Sequence, residues 1–433
     1  MGISGLLPAL RDVAEPKHAS SYRGKRAGVD AMGWLHRGCS ACAQELAQGV
    51  STTKFVTFCL ARVEGLVAAG VIPILVFDGG HIGAKRGTGE GRALMRSEKR
   101  REGLALLEAG DAAAAHRCFQ KSVSVTPAMA HTLQLALARC EPPVEFIVAP
   151  YEADAQLAYM SMNGLIDVVI SEDSDMLAFG CEVVFTKLDA DVNGLELAQA
   201  NLGACEKLDL LNWSHGMFLT MCVLAGCDFL PSIRGVGIAF AHRMVSLHRK
   251  PEKILKMLRF ELKSSVPLDY EDRFWAAIAT FQHATVFDPR ARTLVPLRPF
   301  DDDAPTLADA AVGPDGTRDA CLGKMYADIV AIDVAEGRRN PRTLKMWPGA
   351  ATAGGDGGGG GGGSGGGRRG GAAAAAAATA KRPAAAAAAT SSTGGARSLD
   401  LPDGKRRRYL PAGGFTSPFV VAAAYEDRRP QID

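Results

Sequence analysis

Seven acidic residues stand at or beside the ends of apolar runs in the first 230 residues: Asp30, Asp78, Glu152, Asp154, Asp173, Asp175 and Asp228. Three runs close on an acid: Ala27-Gly28-Val29-Asp30, Ile74-Leu75-Val76-Phe77-Asp78 and Val168-Val169-Ile170-Ser171-Glu172-Asp173. A short, fully apolar run reads as a strand buried on both faces of a parallel sheet. Such sheets bind ligands outside the carboxyl ends of their strands. Negative charge gathered along one sheet edge repels itself unless a cation is held there. Carboxylate oxygens with no His or Cys read beside them point to Mg²⁺, with Mn²⁺ as the alternative. Two such ions clamp the attacking and leaving oxygens of a phosphodiester. Any one of these acids reads equally well as a helix N-cap or turn residue; only their joint placement favours a metal centre. Glu152/Asp154 and Asp173/Asp175 are two apart and do not share a helix face. At a strand end or in a first helical turn, both members of a pair can still converge on one ion.

A second feature is basic. Between Lys85 and Arg101 lie seven cations and two acids, and Lys85, Arg92, Arg96 and Lys99 are spaced 7, 4 and 3 apart. That spacing is one helical face, suited to steering phosphate towards the acids; the bland alternative is a solvated helix face. Gly87, Gly89 and Gly91 weaken helicity, so Lys85 is expected on a flexible lead-in that orders on DNA. A third feature is Gly226-Cys227-Asp228, followed by Ser232-Ile233-Arg234-Gly235-Val236-Gly237. A Gly-x-Gly hairpin entering a helix offers backbone amides to a phosphate.

The elements that must position these groups follow from the periodicity. Ser97–Leu107 is rich in helix formers, Gly110-Asp111 breaks it, and a second helical stretch covers Ala112–Lys121. Thr126-Pro127 opens a third, with Pro suited to the first turn. Val144–Val148 reads as a strand, and Pro150–Ala158 as the start of a helix with acids in its first turn. Alternating strands and helices predict an α/β fold with a central, mostly parallel sheet flanked by helices. The formal net charge is only +2, so nucleic-acid binding must come from local patches. The N-terminal residues lack a signal-peptide pattern, and Leu6 argues against myristoylation. No apolar run is long enough to span a membrane. The ten cysteines read as core residues of a reduced protein, and Cys39-Ser40-Ala41-Cys42 lacks the second pair a zinc ribbon needs. Residues 1 to about 345 read as globular. Gly354–Gly371 is almost all Gly and Ala372–Ala389 mostly Ala, a composition expected to be disordered. Lys405-Arg406-Arg407-Arg408 reads as a nuclear localisation signal or a solvated charge run.

Taken together, the motifs resemble the flap endonuclease/XPG-type family of structure-specific 5′ nucleases. Met1-Gly2-Ile3-Ser4-Gly5-Leu6-Leu7-Pro8 is similar to the start of its N-terminal region. Tyr151-Glu152-Ala153-Asp154-Ala155-Gln156-Leu157 and Ser171-Glu172-Asp173-Ser174-Asp175 are similar to its internal region, and Gly226-Cys227-Asp228 with Arg234–Gly237 to its helix–two-turn–helix. Leu35-His36-Arg37-Gly38 and Phe281–Pro289 favour its exonuclease 1 branch. The short Asp78-to-Glu152 interval excludes the long insertion of the repair endonuclease XPG, and there is no sliding-clamp box. The resemblance implies an N-terminal nuclease region at 1–99, a helical arch or linker at 100–137 and an internal nuclease region at 138–230. It places the helix–two-turn–helix and C-terminal helical part at 231–345, ahead of the Gly/Ala-rich tail at 346–433. It implies two metals held by the seven acids. Lys85 and Arg92 would stabilise charge at the scissile phosphate. His36, Arg96, Lys121, Arg234, Gly235 and Gly237 would contact DNA, and Ser232 and Val236 would hold K⁺. The implied partner is double-stranded DNA with 5′ ends, nicks or flaps. Mismatch-repair proteins would be further partners of a nuclear monomer with no membrane association. The alternatives are a replicative-type flap endonuclease and a nuclease-dead DNA-binding scaffold. Two positions depart from the family: Met32 stands where Tyr is usual, and Ala225 replaces a more polar residue.

Overall fold

The computed structural model describes residues 2–83, 86–300 and 319–350. Seven strands form one sheet: β1 (Glu15–His18), β2 (Arg26–Asp30), β3 (Ile72–Phe77), β4 (Glu145–Val148), β5 (Val168–Ile170), β6 (Val183–Thr186) and β7 (Asn193–Ala198). Their order is β1-β7-β6-β5-β2-β3-β4. The run β6-β5-β2-β3-β4 is parallel throughout, while β7 pairs antiparallel with both β6 and β1. A separate hairpin joins β8 (Thr285–Asp288) to β9 (Thr293–Pro296).

The parallel strands are apolar along their length because both faces are covered. Ile74 and Val76 of β3 enter one core, while Leu75 and Phe77 enter the other. β4 does the same with Ile147 against Phe146 and Val148, and β5 with Val169 against Val168 and Ile170. Each such side chain contributes about 1.5–3 kcal/mol by leaving water. One core is closed by helices Ala153–Met162, His215–Ala225 and Tyr270–His283, the other by Ala31–Ala41, Lys54–Ala68 and Pro127–Ala138. Gly28 lets β2 pack closely under its neighbours: a Cβ there would meet Ile166 Cδ1 at 2.5 Å and Leu157 Cδ2, on the helix Ala153–Met162, at 2.7 Å.

Several boundaries differ from the sequence reading. A single helix, Arg86–Glu108, runs through Gly87, Gly89 and Gly91. Each Gly costs about 1 kcal/mol of propensity, but propagation from an anchored segment offsets it. The anchors are Arg100, whose Nε donates to Ala47 O at 2.8 Å, and Gly103, packed on the Phe119 ring. Lys85 itself lies outside the described residues. The helix expected from Pro150 starts at Ala153, because the Pro150 and Tyr151 carbonyls accept from Gly80 and Gly79 instead. The chain also stays packed past 345: the Trp347 ring stacks on His131 at 4.4 Å between centroids. The tail beyond 350, with Lys405–Arg408, lies outside the described residues. Among the described residues, no helix is long and apolar enough to cross a membrane.

Candidate active site

Each acid sits where a strand hands over to a helix. Asp30 ends β2 and caps the helix Ala31–Ala41, its Oδ1 accepting from the Met32 N–H at 2.9 Å and the Gly33 N–H at 3.1 Å. Its Oδ2 accepts from Ser171 Oγ at 3.3 Å, and that hydroxyl also accepts from the Asp173 N–H at 3.1 Å. β2 is thereby tied to the loop after β5. Asp78 follows β3, and its Oδ1 accepts from the Ala153 N–H at 2.9 Å. This links it to the helix that Glu152 precedes as N-cap residue and whose first turn holds Asp154. Asp175 opens the helix Asp175–Phe179 and is almost fully buried, and its N–H donates to Asp173 Oδ1 at 3.0 Å. Because β5, β2 and β3 are adjacent and parallel, Asp173, Asp30 and Asp78 line one edge in that order.

Gly2 closes this edge. A Cβ there would lie 2.1 Å from Asp173 Oδ1, 2.5 Å from Ser174 Oγ and 2.6 Å from Asp175 Oδ1, and the residue takes φ +90°. Ile3 N donates to Ser174 Oγ at 2.8 Å, which fixes the segment. The backbone therefore runs against the two acid side chains in a conformation and a space that suit glycine alone.

The electrostatics call for positive charge. Burial raises the Asp30 pKa; the Gly33 N–H opposes this, and the Asp173 carboxylate raises it further. On the far side Arg92 reaches in from the helix Arg86–Glu108, its Nη2 3.6 Å from Asp228 Oδ1. Among the described residues the acids do not close into a cluster of three or more ligating groups; backbone donors hold them at separate stations along the edge. All donors at these stations are carboxylate oxygens, the set that hard dications prefer. The residues fit such a group.

One point corrects the sequence reading, which placed no Cys beside the acids. Cys227 lies in the field of both Asp175 and Asp228, and burial pushes its thiol up to about 12. It stays protonated at neutral pH and adds no thiolate ligand.

The basic residues fall into three places. Arg92 faces Asp228. The Arg96 charge acts on His36, which is exposed on the helix Ala31–Ala41; surrounding protein lowers the imidazole pKa and the Arg96 charge lowers it further. Lys99 is instead paired with Glu102 at 2.6 Å, and Lys121, in the last turn of Ala112–Ser122, acts on that same Glu102. The stripe therefore divides between the acids, His36 and its own helix pair. Ser232–Gly237 forms the loop between helices His215–Ala225 and Ile238–His248. Gly226 is at φ +100° against Ser232, and Gly235 is at φ +88°. Gly237 is the N-cap residue of the second helix. Arg234 and Ser232 are exposed while Val236 is buried. The sequence reading missed Gly2, Ser171 and the ion pair of Arg37 Nη2 with Glu172 Oε1 at 2.9 Å. For Gly2 the signal available was a glycine pair, Gly2 and Gly5, in the first residues; for Ser171 and Arg37 sequence spacing held none.

Residues 1–99 match the XPG N-terminal domain and residues 143–228 match the XPG I-region. The chain is 41% identical over 349 residues to exonuclease 1 of Xenopus laevis, covering 80% of this chain and 46% of that protein. It is 33% identical over 299 residues to the DNA damage-inducible protein DIN7 of Saccharomyces cerevisiae, covering 69% of each. The chain thus spans under half the length of the exonuclease 1 relatives of frog, zebrafish and rice. The solved catalytic core of Rad2 in complex with DNA substrate (complex IV) is 21% identical, covers 76% of this chain and 91% of that chain, and aligns with a TM-score of 0.46. With both XPG regions present and DIN7 matched over two thirds of its length, the chain belongs to the XPG family, in the branch whose curated members are named exonuclease 1.

Proposed function

We propose that this chain is a Mg²⁺-dependent 5′→3′ exonuclease of double-stranded DNA with 5′ flap endonuclease activity. It would act in nuclear DNA repair, in mismatch repair and recombination end resection. The observation that carries the reading is the alignment of Asp173, Asp30 and Asp78 along one sheet edge, with Arg92 reaching Asp228 from above. Asp30, Asp78, Glu152, Asp154, Asp173, Asp175 and Asp228 would hold two Mg²⁺ ions, or Mn²⁺ in their place. When bound, such ions supply an activated water and offset charge on the leaving 3′ oxygen.

The chain's own groups do the rest. Arg92, with Lys85, neutralises charge developing on the scissile phosphate, and fixed donors of this kind act without reorganisation. His36 and Arg96 receive the terminal nucleotide, which must leave the stack at a cost of a few kcal/mol. Lys121 adds phosphate attraction on the arch. Arg234, Gly235 and Gly237 present charge and backbone amides to the duplex, with K⁺ at Ser232 and Val236, and this grip reads no sequence. Mismatch-repair proteins are proposed as further partners of a monomer. The deciding experiment follows Mg²⁺-dependent release from a 5′-recessed duplex labelled at either end, with Asp173→Ala as the control. Stepwise 5′ mononucleotides, abolished by the substitution, support the exonuclease. Cleavage confined to a flap junction moves the assignment to a flap endonuclease, and binding without cleavage leaves a DNA-binding scaffold.

A further inference from the structure

A tyrosine next to the acid edge is braced by a segment 173 residues further along the chain. Beyond Phe77 and Val148, strands β3 and β4 continue as paired backbone. The Ala149 N–H donates to Phe77 O at 2.9 Å, the Gly79 N–H to Tyr151 O at 2.6 Å and the Gly80 N–H to Pro150 O at 2.9 Å. A Cβ at Gly79 would lie 2.0 Å from Ala149 O and 2.4 Å from Pro150 O, so the two chains come this close only with glycine there. Asp78 sits between these bonds, and its Oδ1 takes the Ala153 N–H at 2.9 Å. Asp78 and Glu152 therefore leave one joint, and Tyr151 is the residue that carries Glu152 out of it.

The Tyr151 side chain is held at its tip and on both edges. Its hydroxyl donates to Lys324 O at 2.7 Å. A Cβ at Gly80 would touch ring atoms Cδ1 and Cε1 at 3.4 Å, and one at Gly323 would meet Cε2 at 2.4 Å and Cδ2 at 2.5 Å. Gly323 takes φ +91°, a conformation that suits glycine. The segment that grips the ring is itself fixed. Thr285 Oγ1 of β8 donates to Gly323 O at 2.8 Å, and Thr280 Oγ1 of the helix Tyr270–His283 donates to Cys321 O at 3.3 Å. Cys321 and Leu322 are buried beside Ala279. The ring is thus a strut whose near end is the neighbour of a site acid.

We propose that Tyr151 is a positioning residue for the metal centre: braced on Lys324 O between Gly80 and Gly323, it holds the Asp78–Glu152 joint at the spacing a divalent cation needs. Ligands on loosely held chain give up affinity to the entropy of ordering them. Groups that hold ligands from behind typically contribute about 10- to 100-fold in metal affinity. The proposal rests on the metal-centre reading above and extends it, because it makes dication affinity depend on Gly323 and Lys324, which lie outside the acid set.

The test titrates Mn²⁺ into DNA-free protein and follows the free ion by electron paramagnetic resonance. It compares the native chain with Tyr151→Phe, Tyr151→Ala and Gly323→Ala, each checked for folding by circular dichroism. Tyr151→Ala should weaken Mn²⁺ binding about tenfold, the lower end of the range for such groups. Tyr151→Phe keeps the ring and loses the bond to Lys324 O, so it should weaken binding about fivefold, the size of one neutral hydrogen bond. Gly323→Ala sets a methyl against the ring without touching an acid and should act in the direction of Tyr151→Ala. In Tyr151→Phe, the Mn²⁺ concentration for half-maximal cleavage of a recessed duplex should rise in step, while KM for the duplex at saturating Mn²⁺ stays native. Native Mn²⁺ affinity in Tyr151→Phe, or in a folded Tyr151→Ala or Gly323→Ala, overturns the proposal alone. A native chain that binds no Mn²⁺ overturns the metal-centre reading and the proposal with it.

Discussion

Arg92 Nη2 lies 3.6 Å from Asp228 Oδ1, so the helix Arg86–Glu108 rests on the same carboxylate that is proposed to hold a metal. The guanidinium is half exposed and the carboxylate only 19% exposed, which places the pair at the rim of the site. The pair is a contact that a dication held at Asp228 would compete with. Removing Arg92 should therefore do two things. Arg92→Ala should lower kcat by 10²–10³, the usual effect of losing one fixed electrostatic partner. It should also raise amide exchange across 92–100 in metal-free protein. An unchanged exchange pattern would show that the ion pair does not hold the helix.

Asp173 and Asp30 repel one another across the edge, and burial has already raised the Asp30 pKa. Asp173→Asn removes one charge from that cluster. Without divalent ions the variant should melt a few degrees higher than the native chain, because a like-charge cost disappears. The native protein should gain thermal stability on adding Mg²⁺, and the variant should gain far less. Scanning calorimetry with and without Mg²⁺ measures both differences. Equal Mg²⁺ shifts would remove Asp173 from the ligand set.

Gly2 offers a substitution that changes no charge. In Gly2→Ala the new methyl would meet Asp173 Oδ1 at 2.1 Å, at φ +90°. The distant core is untouched, so far-UV circular dichroism should be native. Displacing the two acids by even a fraction of an ångström should cut the rate at least tenfold, since reacting groups tolerate little misplacement. Native rates in this variant would show that the first residues yield without moving Asp173 or Asp175.

His215 makes a pH prediction away from the acids. Burial pulls its imidazole down to about 4, Arg298 adds to the effect, and the Ala178 backbone opposes it. Nε2 is buried with no hydrogen-bond partner among the described residues. The unfolded chain has the ordinary His value near 6.5, so between about pH 6.5 and 4 it binds more protons than the native state. The stability due to this group is present above about 6.5 and is lost as pH falls through that window, by at most about 1.4 kcal/mol per pH unit. Urea titrations from pH 7 to 5 should show a shallower loss in His215→Leu than in the native chain. Parallel curves would mean that His215 does not titrate with folding.

The parallel centre of the fold was legible because β2, β3 and β5 are continuous apolar runs, a pattern that two covered faces impose. The antiparallel edge was not. Glu15-Pro16-Lys17-His18 has no apolar alternation, and β1 is held to β7 by backbone pairing and by Lys17 on Glu196 at 2.6 Å. The acids were legible as strand-end residues, but which neighbour each engages was not. Ser171 joins Asp30 to Asp173 across two strands, a contact set by sheet order, not by spacing. Local propensity misread Gly87, Gly89 and Gly91, since tertiary anchors at Arg100 and Gly103 carry the helix through them. Cys227 was overlooked because it reads as core filler, and it is buried enough to act as one.

The sheet order has a consequence for the life of the chain before it is complete. The acids at the edge come from segments as far apart as Asp30 and Asp228, and β5 must pair with β2 across a long stretch of chain before Asp173 reaches Asp30. A parallel sheet joined by long crossovers assembles late, since every pairing closes a long loop. A half-made or partly unfolded copy therefore holds its acids scattered. The proposed nuclease activity would then appear only with the finished fold and vanish with its loss, a safeguard written into the connectivity.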